Sequence, residues 1–334
     1  MSEDLTYRRS GVDVEAADRL VARISGLAAA THGPEVEPGP AAFAGLYRLP
    51  GGDLLAATCD GVGTKLLIAR EAGRFEGIGR DLVAMNVNDL LPVGARPLFF
   101  LDYVAAGALE AEPVAAVVAG AAAACREVGC ALLGGETAEM PGLYGPGDLD
   151  VAGFAVGLVD QQRRPDPAGP RPGDRVMALP SSGIHANGLS LARAALLDRA
   201  GLRLDEHVPE LGRALADELL EPTALYPGPV LEAPPGRIGA LAHVTGGGLA
   251  GRGRAMLPEG LRMHLDPGRW TRPPIFGLIE GAGPVSGAEM AATFNLGLGF
   301  LAVVDPAAAP TWEGSGWLPV GEVRAGERGV SLDG

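Results

Sequence analysis

Lysine is almost missing from this chain: of its 27 Lys and Arg residues, only Lys65 is a lysine. Cysteine is scarce too. Cys59, Cys125 and Cys130 cannot all pair and show no metal-ligand spacing, which excludes a disulfide scaffold and a cysteine-based metal centre. Aromatic residues make up 5% against 47% hydrophobic overall, so the core must be built mainly from Ala, Val and Leu. Positive charge falls short of negative, 27 against 41, a net −14. That balance argues against a duplex nucleic-acid binder or an anionic lipid surface, both of which need a basic face. No apolar run approaches the roughly 18 residues of a membrane span, and MSEDLTYRRSG lacks a signal-peptide core. A reduced cytoplasmic protein is expected.

What is present is enough chain, at 334 residues, for about two domains of roughly 150 residues each. In the first half the pattern predicts a helix over Asp13–Ala30, with Val14, Ala17, Leu20, Val21, Ile24 and Ala28 as its apolar stripe. A strand is expected at Asp53–Cys59, a helix at Arg80–Pro92, a strand at Pro97–Val104, an Ala-rich helix at Ala111–Val128, and strands at Cys130–Gly134 and Val151–Val159. Gln161–Asp174 has four prolines and no apolar period, and is read as the linker. The second half opens with a strand at Arg175–Leu179, a Gly/Ser loop at Ser181–Gly188 and a helix at Leu189–Ala200; Phe294–Val304 reads as a later strand. Strands mixed with helices in both halves predict two mixed α/β domains.

Chemistry is concentrated in a few segments. Asp60-Gly61-Val62-Gly63-Thr64-Lys65 follows a predicted strand; its glycines admit a ligand close to the backbone, its carboxylate suits a hard cation, and its ammonium suits a phosphate. It is not the GxxxxGK[ST] loop. A tight turn with exposed charges explains the same six residues about as well. On the helix after it, Asp81, Met85, Asn88 and Asp89 share one face, a pattern that a solvated face also produces. Gly134-Gly135-Glu136, with Glu139 beyond, is expected at a strand end. Asp60, Asp89 and Glu136 would repel one another on converging unless a cation joined them, and Mg²⁺ with substrate phosphates is the natural partner. In the second half, Ser181–Gly188 and Thr245–Gly248 each precede a predicted helix and offer free N–H groups to an anion; His185 and His243 stand beside them. His32, His207 and His264 lack such context and are read as structural or surface residues.

In order along the chain, DGVGTK (60–65), IGRDLVAMNVNDLLPVGARPLFFLDY (78–103), GGETAEMPGLY (134–144), VAGFAVGLV (151–159), SSGIHANGLSL (181–191), AHVTGGG (242–248) and TFNLGLG (293–299) resemble the phosphoribosylformylglycinamidine cyclo-ligase (aminoimidazole ribonucleotide synthetase) family. The resemblance covers nearly the whole chain, from about Tyr7 to Val320. It implies ATP-dependent ring closure of formylglycinamidine ribonucleotide in purine biosynthesis, through phosphorylation of the formyl oxygen. It also implies an amino-terminal ATP-binding and dimerisation domain at 1–165, a carboxy-terminal domain at 170–334, and a homodimer whose amino-terminal strands form a shared β-barrel. Carried over residue by residue, Asp60, Asp89 and Glu136 would hold Mg²⁺. Gly61, Gly63, Thr64, Lys65 and Gly135 would join them around ATP, with Lys65 beside the phosphates. Ser182, His185, Asn187, Thr245, Gly246, Gly247 and Asn295 would surround the ribonucleotide or the reacting centre; Lys65, Asp89, His185 and His243 would be catalytic, with His243 the candidate general acid/base.

The chain departs from the family at Ser25–Thr31 and Pro38–Gly45, where lysines and a Gly-rich loop are usual, and at Arg8-Arg9. Between the FNLGLG strand and the last strand, Pro306–Gly316 leaves room only for a shortened helix or none. The alternatives are another ATP-dependent phosphotransferase of the wider superfamily, such as thiamine-monophosphate kinase, and an inactive nucleotide-binding scaffold.

Overall fold

The computed structural model describes residues 5–37 and 43–332. Short apolar segments bounded by glycine and proline assemble into two six-stranded sheets, one in each half of the chain. The first comprises β1 (Val36–Glu37), β2 (Gly45–Arg48), β3 (Leu54–Gly61), β4 (Ala95–Ala106), β5 (Ala131–Glu139) and β6 (Leu149–Val159), in the order β1-β2-β3-β6-β4-β5. Only β4 and β5 run parallel, because a helix crosses over between them. After β7 (Arg175–Pro180) comes a small pair, β8 (His207–Val208) and β9 (Arg213–Ala214). The second sheet joins β7 to β10 (Ile238–His243), β11 (Leu261–Leu265), β12 (Leu298–Val304), β13 (Leu318–Ala325) and β14 (Gly329–Leu332), in the order β10-β12-β7-β13-β11-β14.

Four helices belong to the first half: α1 (Val14–Ala29), α2 (Lys65–Ala72), α3 (Glu76–Leu90) and α4 (Ala111–Glu127). The second half carries α5 (Leu189–Arg193), α6 (Leu215–Leu219), α7 (Pro227–Leu231), α8 (Gly248–Ala255), α9 (Pro274–Ala282), α10 (Gly287–Thr293) and α11 (Ala309–Glu313). The central element is α3. It is buried almost all round, from Ile78 to Leu90, between the first sheet, α4 and the second half. Small residues make that possible: a Cβ on Gly79 would stand 1.9 Å from the Val117 carbonyl, and one on Gly120 would stand 2.3 Å from the Glu76 carbonyl. Any side chain there would push α3 and α4 apart.

Several elements differ from their sequence expectation. The strand expected to stop at Gly134 runs to Glu139, so Gly134-Gly135-Glu136 lies inside β5 rather than at its end. A bulge at Leu133 absorbs one residue of register against β4. The helix after Gly188 keeps α geometry only to Arg193 and continues to Arg199 as a wider π turn. Helix α1 forms under an Asp13 cap, yet among the described residues its stripe finds no cover, and Leu20 and Leu27 are 58% and 69% exposed. The Pro-rich stretch 161–174 is anchored on the second half, where Arg163 donates to the Ala233 carbonyl at 2.6 Å. The expected short helix before the last strands is the five-residue α11. Of the departure at 38–45, residues 38–42 lie outside the described residues.

Candidate active site

The two halves meet where α3 crosses a strap at residues 221–226. Asn88 accepts from the Tyr226 N–H at 2.9 Å and donates to the Ala224 carbonyl at 2.9 Å. Asp81 accepts from the N–H and hydroxyl of Thr223 at 2.7 and 2.6 Å. The face shared by Asp81, Asn88 and Asp89 is therefore no solvated face; it is the joint between the halves. Met85 on the same face receives the Asn187 amide at 3.6 Å.

Lys65 is placed otherwise than expected. Its side chain is fully buried, with Nζ 2.8 Å from Asp81 Oδ2, 3.0 Å from Oδ1 and 2.7 Å from the Glu221 carbonyl. The ammonium donates to Asp81 Oδ1 and to the Glu221 carbonyl and is paired with the Asp81 carboxylate, so it faces the strap. The reason lies in topology: Lys65 opens α2, where its side chain turns inward beneath the strap. Thr64 points the other way, its hydroxyl 3.1 Å from that of Ser190.

Asp60 and Asp89 do come together. Asp60 is the penultimate residue of β3, its backbone locked by Asn86, which accepts from the Asp60 N–H at 2.9 Å. Its carboxylate accepts from the Gly61 N–H at 2.7 Å. Burial, reinforced by the nearby Asp89 charge, pushes Asp60 up to about 6. Asp89 lies 2.8 Å from His243 Nδ1, across the two halves. That contact puts the ring proton on Nδ1, and Nε2 then accepts from the Asn88 amide at 3.4 Å. His243 is fully buried, with its two ring nitrogens against Asp89 and Asn88.

Glu136 does not join the pair. Asp60, Gly153, Asp102 and Gly135 lie in one row across four strands, so about 14 Å of sheet separates Asp60 from the Glu136 region. Gly135 is needed in that row because a Cβ would come within 2.1 Å of the Asp102 carbonyl. Among the described residues no group of three or more His, Cys, Asp or Glu side chains could hold a metal ion. Mg²⁺ fits here only as an ion held by two carboxylates and completed by phosphate oxygens and water.

The glycine loops close the other side. His185 sits at φ +67°, strained for a residue with a Cβ, and is buried. Its Nε2 accepts from the Ser182 N–H at 3.2 Å, so the proton resides on Nδ1, which finds no acceptor in the protein. Burial holds the ring neutral. The Thr245 hydroxyl, 3% exposed, is also unpartnered. Gly246 and Gly247 follow, Gly246 facing Asn187 and Gly247 at φ +89°. Asn295, expected to touch the ribonucleotide, instead clamps the loop: it donates to the Gly183 and Ile184 carbonyls and accepts from Ser181 and Gly297. The Ser182 hydroxyl donates to the Pro222 carbonyl at 2.6 Å. A separate cavity of about 430 Å³, lined by Arg70, Phe75, Glu110 and Asp148, contains none of the expected site residues.

Sequence reasoning missed Thr223, Tyr226 and Arg252. Arg252, on α8, lies over the Phe43 ring at 4.7 Å and is acted on by the Asp60 and Asp89 charges. Among so many arginines nothing in the sequence marks this one.

Carboxylates and glycine loops thus meet at the junction of two α/β halves. The chain belongs to the AIR synthase related family: the model of the family's N-terminal domain matches residues 42–159 and that of its C-terminal domain residues 171–332. A protein named phosphoribosylformylglycinamidine cyclo-ligase from Myxococcus xanthus is 51% identical over 304 residues, 90% of this chain and 88% of its own. One of the same name from Carboxydothermus hydrogenoformans is 47% identical over 343 residues, 99% of both chains. Among solved structures, AaThiL complexed with AMPPCP and TMP aligns with a TM-score of 0.64 at 18% identity, covering 96% of this chain and 93% of that one. The hydrogenase maturation protein HypE of E. coli gives 0.60 at 21%, covering 95% and 94%. Both share the fold.

Proposed function

We propose that this chain catalyses the ATP-dependent ring closure of formylglycinamidine ribonucleotide to 5-aminoimidazole ribonucleotide, with release of ADP and phosphate, in purine biosynthesis. The observation that carries the reading is the 47% identity to a cyclo-ligase along 99% of both chains. The cleft supports it. Transfer of a phosphoryl group to the formyl oxygen needs positioning and charge neutralisation more than covalent help from the protein. Asp60 and Asp89 are the carboxylates that would hold Mg²⁺, which supplies charge neutralisation at the phosphates when bound. His243 orients Asp89, and the Nδ1–H of His185 and the Thr245 hydroxyl offer donors to substrate oxygens. Gly61, Gly63, Gly246 and Gly247 let backbone N–H groups approach phosphates. Phosphorylation turns the formyl oxygen into a leaving group; the ribose-bearing nitrogen attacks the activated carbon, and phosphate departs as the ring closes.

The reading includes a homodimer in the cytoplasm. Tyr47 and Phe154 stand 47% and 38% exposed on the first sheet, and Leu133, at the β5 bulge, is 64% exposed, an apolar surface that a second copy would cover. No helix among the described residues is long and apolar enough to cross a membrane.

The test is direct. Incubation with formylglycinamidine ribonucleotide, ATP and Mg²⁺ should give 5-aminoimidazole ribonucleotide and ADP in equal amounts. Turnover of thiamine monophosphate in its place, or no product with either, would overturn the reading.

A further inference from the structure

With Lys65 locked beneath the strap, the cleft needs another cation for the anions it is read to bind. Arg252 has the features of one. Helix α8 begins directly after the Gly246-Gly247 loop, and Arg252 sits one turn along it, facing back toward the first half. There its guanidinium lies over the Phe43 ring, 4.7 Å from the centroid, which fixes the plane of the fork. Its Nε is buried and has no acceptor. Asp60 and Asp89 both act on it electrostatically, yet among the described residues it makes no ion pair with either. A buried guanidinium N–H left unbonded is costly, and its planar fork matches the oxygens of a phosphate or a carboxylate. Two more unmet polar groups belong to the same cleft: the Thr245 hydroxyl, two residues beyond His243, and His185 Nδ1, whose ring centroid lies 6.4 Å from that of His243.

We propose that Arg252 is the phosphoryl-binding cation of this cleft, turning its fork onto phosphate oxygens brought beside Asp60 and Asp89. This deepens the ring-closure reading and rests on it for the identity of the phosphorylated ligands. Two sources share the chemistry: the triphosphate of ATP and the 5′-phosphate of the ribonucleotide. Phe43 holds the guanidinium from the first half of the chain and α8 from the second, so the cation is in place only where the two halves meet. A lysine at 252 would keep the charge but lose the flat, two-pronged donor and its ring contact.

The experiment compares Arg252→Met and Arg252→Lys with Arg254→Met, an exposed neighbour on the same helix. Calorimetry measures binding of Mg²⁺ with a non-hydrolysable ATP analogue, and of adenosine, which has no phosphate. Steady-state kinetics measures KM for formylglycinamidine ribonucleotide. Arg252→Met should weaken one phosphorylated ligand by about 10- to 100-fold, the range for a lost charged hydrogen bond, and leave adenosine binding unchanged. Loss in the analogue arm assigns Arg252 to ATP; loss only in the ribonucleotide KM assigns it to the 5′-phosphate. Arg252→Lys should recover part of that loss, and it carries the test if the methionine variant does not fold. Both arms within twofold of wild type, or an equal loss for Arg254→Met, would overturn the proposal. Ring-closure turnover by the wild type tests the underlying reading separately, because the analogue arm reports on Arg252 whether or not that turnover occurs.

Discussion

Lys65 Nζ lies 2.8 Å from Asp81 Oδ2, with both side chains fully excluded from water. The chain's one lysine is thus a strut. Through the Glu221 carbonyl, and through Asp81 to Thr223, it ties α2 and α3 of the first half to the strap of the second. Removing one charge leaves the other buried alone, which costs about 3–5 kcal/mol. Lys65→Met should lower urea stability by that amount, and the double variant Lys65→Met, Asp81→Asn, which removes the buried charge but keeps an acceptor for Thr223, should recover part of it. Amine-selective reagents should spare Lys65 in the folded protein, with or without Mg²⁺ and ATP, and modify it in urea. Rapid labelling of the native protein that ATP suppresses would show instead that Lys65 reaches the nucleotide.

The His243–Asp89 contact makes a second separation possible. Asp89→Asn keeps the shape of the side chain while removing its charge, so kcat should fall by about 100-fold or more with the fold intact. His243→Ala leaves the carboxylate present but badly aimed. It should raise the Mg²⁺ concentration needed for half-maximal activity by roughly 10- to 100-fold, as loss of a ligand-orienting group does. A Mg²⁺ dependence unchanged in His243→Ala, with kcat abolished, would instead make the imidazole a proton carrier.

Asp60 gives a pH signature in the metal-free protein. Burial and the Asp89 charge raise its carboxyl from 3.8 to about 6. A raised acid favours the folded state while protonated, so its stabilising effect is full below pH 3.8 and is lost as pH rises through 6. An asparagine has no proton to lose. The stability of Asp60→Asn relative to wild type should therefore grow between pH 4 and pH 7, by up to about 3 kcal/mol. A difference that stays flat over that range would mean Asp60 titrates as an ordinary surface acid.

These residues also show what the sequence could disclose. Strand ends, glycine turns and the α3 face are local patterns, and they marked Asp60, Asp89, His185 and His243 one by one as candidates; only the family resemblance grouped them. Partner choice is not local. Nothing in one dimension tells Lys65 or Arg252 apart from an ordinary surface cation, and only the approach of the strap to α3, 156 positions beyond Lys65, locks the lysine away. Glu136 failed for a related reason. The apolar run stops at Gly134, but backbone pairing with β4 carries the strand five residues further and leaves Glu136 beside Tyr103 rather than at a strand end. Tyr226 carried no signal because its ring works by filling space against a glycine.

That glycine supplies the last prediction. Gly299 lies in β12, opposite the cleft histidines, and a Cβ there would stand 1.8 Å from Tyr226 Oη and 2.8 Å from His185 Cε1. Tyr226 has little freedom to retreat: it is buried, donates to the Pro180 carbonyl at 2.8 Å, and packs against Phe300 and His243. Gly299→Ala should therefore destabilise the fold by about 1–3 kcal/mol, the usual cost of overpacking. It should also push His185 off its strained φ, so that KM for formylglycinamidine ribonucleotide rises along with the loss of stability. Adding Tyr226→Phe removes the nearest clashing atom and should restore part of the melting temperature, at the expense of the Pro180 hydrogen bond. Thermal unfolding and steady-state kinetics of the single and double variants decide it. A Gly299→Ala protein that melts and binds like wild type would mean that Tyr226 can move aside and does not brace the histidine loop.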